Sequence, residues 1–251
     1  MLLLAGLRHW LGIPEHAPSW RERLIATLIA GIGVGIVIAC SHAVIAADEP
    51  GRLWLVASIG ASAVLVFVVP HGPLSQPWAV LGGQGVSALG GVLVAHWLGD
   101  GAMAAAVAVA SAILAMQALH CVHPPGGATA LAAIVATGNG HMPGWDFIAA
   151  PVLLNAGLLV VMAMLLNAPF KGRRYPLAWD LPHLASVKDA ADRAEAYSPE
   201  ELVAAFAELD AFVDISVEEL QVLAAALQRA RNARLAGSHP AAPVQSGHDP
   251  S

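Results

Sequence analysis

A chain of 251 residues that is 57% hydrophobic and only 12% charged, with mean hydropathy +0.65, is far more apolar than a soluble domain, where about a quarter of residues are charged. Its formal charge of -6 divides unevenly, with seven basic and six acidic residues through Tyr175 against five basic and twelve acidic beyond it. That balance argues against nucleic-acid binding, which uses a basic face, and two cysteines within or beside apolar runs, Cys40 and Cys121, read as small, buried, reduced residues rather than a disulfide framework.

Met1 to Leu4 is too short for a signal-peptide core, and Arg8, Glu15, Arg21 and Glu22 follow at once, so a retained N-terminus is expected. The first span is expected at Leu24 to Ala46, with Gly31, Gly33 and Gly35 permitting close helix packing. A second run, Leu53 to Val69, carries Ser58, Gly60, Ala61 and Ser62 near its middle and stops at Pro70; it is short for a span. The third, Trp78 to Leu98, is again rich in glycine, and the fourth covers Ala102 to His120. The fifth, Pro125 to Thr137, is too short to cross hydrocarbon unaided, and the sixth runs from Phe147 to Asn167.

Between Leu53 and Phe170 the only Asp, Glu, Lys or Arg residues are Asp100 and Asp146, each in a loop between runs. Arg8, Arg21 and Arg23 precede the first span and Lys171, Arg173 and Arg174 follow the last, so both termini are expected in the cytoplasm, at an inner membrane. An even number of crossings follows: six if the two short runs cross, four if they are re-entrant. The expected fold is therefore an all-α polytopic transmembrane helix bundle of four to six segments over residues 1–175.

Two short stretches echo each other. Ile59 to Val64 reads I-G-A-S-A-V and Gly126 to Leu131 reads G-G-A-T-A-L, each in the short middle element of three consecutive runs. This is the pattern of a 3+3 inverted repeat with two short broken helices, whose interrupted segments mark the binding site; chance similarity among small residues is the alternative.

From Pro176 the sequence changes character. Ser198-Pro199-Glu200-Glu201 and Ser216-Val217-Glu218-Glu219 resemble capping boxes, each opening an amphipathic helix, so residues 176–237 are expected to form an acidic cytosolic helical hairpin able to bind a cytosolic partner. Residues 238–251 are expected to be disordered.

His120 to Leu131, H-C-V-H-P-P-G-G-A-T-A-L, breaks one apolar helix and starts another. Val122 and His123 stand before proline and favour extended backbone, while Pro125 suits a first helical position. H-P-P-G-G-A-T-A-L at 123–131 resembles the signature of the HPP family of integral membrane proteins, supported by I-G-A-S-A-V-L-V-F at 59–67, Q-P-W-A-V-L-G-G at 76–83 and R-Y-P-L-A-W at 174–179. The resemblance covers Trp20 to Trp179. It implies a core usually described as four transmembrane helices, and nitrite transport, as described for plant and cyanobacterial members. One departure is Asn167-Ala168, where the family often has an asparagine pair.

A helix beginning inside a membrane protein offers free amides and the positive end of its dipole, which suit an anion. Gly126, Gly127 and Thr129 are candidate substrate-binding residues on the fifth run, and Gly60 and Ser62 on the second if that helix breaks there. The other reading is a structural break whose amides are satisfied by neighbouring carbonyls. His123 is a candidate for binding or for carrying a proton, and equally for fixing backbone carbonyls. Gln84 and Asn155 are candidates to face a pore, while Pro124 and Pro125 are structural. His120 and His123 lack the further ligands of a zinc site, so no metal and no cofactor are expected. With no paired carboxylates and no nucleophile beside a base, the chain is not expected to be an enzyme. The expected function is transport of a small inorganic anion, and the alternative is a membrane sensor or scaffold whose tail binds a partner. The lipid bilayer is the expected surrounding, and the small size of the core favours a homo-oligomer.

Overall fold

The computed structural model describes residues 10–11, 18–44, 51–170 and 172–179; for 51–56 only the backbone is described. Among the described residues there are six main helices: α1 (Trp20–Val44), α2 (Gly51–Val68), α3 (Pro77–Leu98), α4 (Ala102–Ala118), α5 (Pro125–Gly138) and α6, which runs from Trp145 to Asn167. Among the described residues there is no strand. The six apolar runs thus become six helices, with ends displaced by a few residues from those expected. The expected hairpin at 176–237 and the expected disorder at 238–251 lie outside the described residues, apart from the short turn Leu177–Trp179.

Helices α1, α3 and α6 are long and apolar enough to cross a membrane. At 14 residues α5 is about 21 Å long, against roughly 30 Å of hydrocarbon. Helix direction alternates along the chain. Glu22 at the start of α1 meets Arg173 just beyond α6 and beside the end of α2, whereas Asp100 before α4 packs against Gly138 at the end of α5.

The most closely packed helix pairs are α3 with α4 and α5, α1 with α2 and α6, α2 with α5 and α6, α4 with α5, and α3 with α6. Exchanging α1, α2 and α3 for α4, α5 and α6 carries this set of pairs onto itself. Helix α3 is central because its small residues let neighbours approach: a Cβ on Gly91 would fall 2.8 Å from the Ala130 carbonyl of α5. One apolar cluster gathers Ile29, Val37, Val66, Phe67, Val80 and Leu159 from α1, α2, α3 and α6; a second joins Ala95, Ala108, Ala112, Met116 and Ile134 from α3, α4 and α5.

Three local features stand out, the first and third as corrections to the expectations. Helix α2 passes through Gly60 without a break, so Gly60 is an interior helical residue and its amide belongs to no helix start. Proline at 151 sits inside α6, where its missing N–H is accommodated by a π-helical segment, Ile148–Leu154. Cys40 is exposed on α1 rather than buried, because it lies on that helix's outward face; Cys121 is buried as expected.

Candidate functional site

The break between α4 and α5 is built by ordinary helix-ending chemistry. His120 takes a positive φ of 52°, the amide of His120 donates to the Gln117 carbonyl, and the amide of Cys121 donates to that of Met116 at 2.9 Å. This is the Schellman arrangement, with histidine where glycine is usual. Residues 121–123 then run without helical structure to Pro124, and Pro125 opens α5. The segment lies hard against α3: a Cβ on Gly83 would come within 2.5 Å of the His123 Cβ and 2.7 Å of the Cys121 carbonyl.

This placement buries His123 completely and aims its ring into the bundle. Its Nδ1 is 2.9 Å from the Leu74 carbonyl oxygen, which can only accept, so Nδ1 carries the hydrogen. Nε2 is 2.8 Å from Ser62 Oγ on α2 and, in the neutral ring, accepts from that hydroxyl. The Gln84 amide nitrogen on α3 donates to Ser62 Oγ at 3.1 Å and to Ser58 Oγ at 2.7 Å. The Gln84 carbonyl accepts from the Thr129 hydroxyl on α5. Ser58 closes the group, 2.7 Å from Thr129 Oγ1 and donating to the Pro125 carbonyl at 3.2 Å. All five side chains are buried, and in an apolar bundle every such group must find partners inside the protein.

Of the residues expected at the site, the structure therefore joins His123, Ser62, Gln84 and Thr129. The first-turn amides behave differently: Gly126 donates to the His123 carbonyl at 2.8 Å and Gly127 to that of Pro124 at 3.1 Å. The converging donors are thus hydroxyls and a carboxamide. Gly60 lies on α2 with open space where a Cβ would be. Asn155 is buried on α6 but turns its amide back to the Pro151 carbonyl at 2.7 Å, leaving its Oδ1 without a hydrogen bond. Ser87 Oγ, buried on α3 beside Gly126, also has none.

Ser58 was not among the expected site residues, although its spacing of four from Ser62 puts both on one face of α2. Between α2, α3 and α6 lies a cavity of about 10 Å³, lined by Ser58, Ile59, Ser62, Gln84, Val152, Ala156 and Leu159. That volume is at the lower limit for one water molecule. Among the described residues, no group of three or more His, Cys, Asp or Glu side chains is placed to hold a metal ion.

A second polar knot ties the helix ends together. Arg173 is buried and donates to Glu22 of α1, to the Phe67 carbonyl of α2 and, from Nε at 3.2 Å, to Asn167 Oδ1 of α6. Burial draws its guanidinium below the ordinary arginine value, though such a group stays charged in proteins. Asn167 in turn donates to the Ala163 carbonyl at 2.9 Å. Next to the knot, Tyr175 donates to the Ser75 carbonyl at 2.8 Å, and burial pushes its phenol upward. In the sequence Arg173 marks topology; its burial is visible only in the folded chain.

Long apolar helices around a small, neutral polar centre define an integral membrane protein of the helical-bundle class. The chain belongs to the HPP family: the family's transmembrane region matches residues 15–176, including the whole of the break and the polar cluster. Two proteins of Dictyostelium discoideum, each described only as a transmembrane protein, are similar to it. One is 32% identical over 187 residues, covering 71% of this chain and 65% of its own length; the other is 33% identical over 171 residues, covering 66% and 52%. The chain thus spans somewhat under two thirds and about half of these relatives. No solved structure matches it.

Proposed function

We propose that this protein transports a small inorganic anion across the membrane, with nitrite the first candidate, through the cluster formed by Ser58, Ser62, Gln84, His123 and Thr129. The observation that carries this reading is the convergence of five neutral polar side chains, from α2, α3, α5 and the break before α5, beside a water-sized cavity in an apolar bundle. Polar groups at membrane depth are expensive and characteristically face a path or a site. Hydroxyl and carboxamide dipoles without a nearby Lys or Arg suit weak binding and release. The self-exchanging helix neighbours and the echoed I-G-A-S-A-V and G-G-A-T-A-L support a 3+3 inverted repeat with six crossings and a path at the interface of the two halves. The basic residues that flank the first and last spans support both termini cytoplasmic at an inner membrane. Chemistry on a substrate is not part of the proposal, and further copies of the chain would complete the enclosure of the path.

A second reading is favoured by the near-complete internal pairing of the cluster: it locks the helices together, and the protein is a sensor or scaffold whose tail binds a cytosolic partner. Uptake of nitrite, nitrate, formate and chloride into proteoliposomes separates the two. Uptake above protein-free vesicles supports transport; none for any of the four supports the scaffold.

A further inference from the structure

We propose that the anion crosses together with one proton and that His123 carries that proton; this rests on the transport reading above. Because Nδ1 is committed as a donor to the Leu74 carbonyl, the free lone pair of the neutral ring is on Nε2. Ser62 has one hydroxyl hydrogen, and in this state it is spent on Nε2, 2.8 Å away. Ser62 therefore presents only lone pairs to the cavity it lines with Ser58 and Gln84.

Protonation reverses that bond. Nε2 then donates to Ser62 Oγ, and the hydroxyl hydrogen is released to turn toward the cavity. The same proton supplies a positive charge. An uncompensated anion in an apolar core is strongly disfavoured, and Ser58, Ser62, Gln84 and Thr129 carry no charge at working pH. The state that accepts an anion is thus the one with His123 charged, so proton and anion each favour the binding of the other.

The surroundings leave His123 alone in this role. It meets Ser62 from α2, Leu74 from the turn before α3, the backbone of Gly83 from α3 and the Met116 sulfur from α4, 3.4 Å from its amide. The titratable neighbours are Cys121, buried against Gly82, the exposed His120, and Tyr175, whose phenol is turned to the Ser75 carbonyl. Helices α3, α4 and α5 contain no Asp, Glu, Lys or Arg, and α2 only Arg52 near its start. One proton and one monoanion enter from one side and leave on the other, so no net charge moves and no covalent bond changes.

The test is nitrite uptake by wild-type proteoliposomes, with protein-free vesicles subtracted to remove nitrous acid that crosses the lipid itself. The expected result is an initial rate indifferent to a potassium–valinomycin potential of either sign, and one proton entering per nitrite by a trapped pH dye. Above the titration of His123, apparent affinity falls about tenfold per pH unit. His123→Gln keeps an acceptor toward Ser62 and His123→Asn a donor toward Leu74; both are expected to abolish proton entry. Uptake driven by potential without acidification overturns proton coupling, and unchanged proton entry in either folded variant overturns His123 as the carrier; both outcomes leave transport standing. Absence of uptake of every anion overturns transport and this proposal together. If neither variant folds, the wild-type charge and proton measurements decide.

Discussion

Ser62 and Thr129 occupy matching places in the two echoed stretches, 67 positions apart in the chain, and they meet at one carboxamide. Gln84 donates to Ser62 Oγ and accepts from the Thr129 hydroxyl. The side chain on α3 thereby joins α2 to α5, the two short helices that the sequence marks as equivalents.

Gln84→Leu is expected to remove both ends of that link while keeping volume and helix propensity. Ser58, Ser62 and Thr129 each lose a partner, and an unsatisfied buried polar group costs about 1–3 kcal/mol, partly offset by re-pairing with helix carbonyls. A net loss of about 2 kcal/mol is expected, read as a lower unfolding temperature in detergent micelles. An unchanged midpoint would show that the carboxamide does not couple the helices.

The close approach of α3 to the break gives an internally controlled prediction. Gly83→Ala places a methyl against the His123 Cβ and the Cys121 carbonyl, which is backbone and yields little. Overpacking of this kind costs about 1–3 kcal/mol. Gly127→Ala, in the same region but with nothing within 4 Å of the new Cβ, is expected to be neutral or to gain up to about 1 kcal/mol from helix propensity. Thermal unfolding of the two variants side by side checks the contrast.

Arg173→Met is expected to be more damaging than any single change in the cluster, because it strands the partly buried Glu22 carboxylate and the Phe67 carbonyl. Breaking a buried ion pair from one side costs about 3–5 kcal/mol. Adding Glu22→Gln should recover part of the loss, since the uncompensated charge then disappears. A double-mutant cycle in detergent measures the coupling; strictly additive effects would contradict the knot.

His120 is where a ligand reading and a backbone reading diverge. Its φ of 52° costs roughly 1–2 kcal/mol for a residue with a Cβ and nothing for glycine, whose greater unfolded-state freedom takes some of that back. His120→Gly is therefore expected to fold with stability equal to wild type or up to about 1 kcal/mol higher, with anion uptake retained. Loss of uptake in a stable His120→Gly protein would add this residue to the site.

The six helices were legible because Pro, Gly and two aspartates punctuate otherwise apolar runs, and His123, Ser62, Gln84 and Thr129 were legible as rare polar groups within them. What could not be read is the rotation of each helix about its axis. Asn155 has the same chemistry as Gln84, yet on α6 its amide turns to the carbonyl of Pro151, within a π segment that packs against α3. The echo with G-G-A-T-A-L allows a break at Gly60, but without proline the helical ladder continues through it. Arg173 was read as one of three basic residues after the last span, and the Glu22 that buries it lies 151 positions away.

The most direct test of the account is nitrite uptake into proteoliposomes by the wild type and by a Ser62→Ala, Thr129→Val double variant whose elution profile in detergent matches wild type. The account predicts uptake above protein-free vesicles for the wild type and a fall of about tenfold or more in the variant, which corresponds to about 1.4 kcal/mol of lost interaction. Uptake by the double variant at the wild-type rate, or no uptake of any tested anion by the wild type, would contradict it.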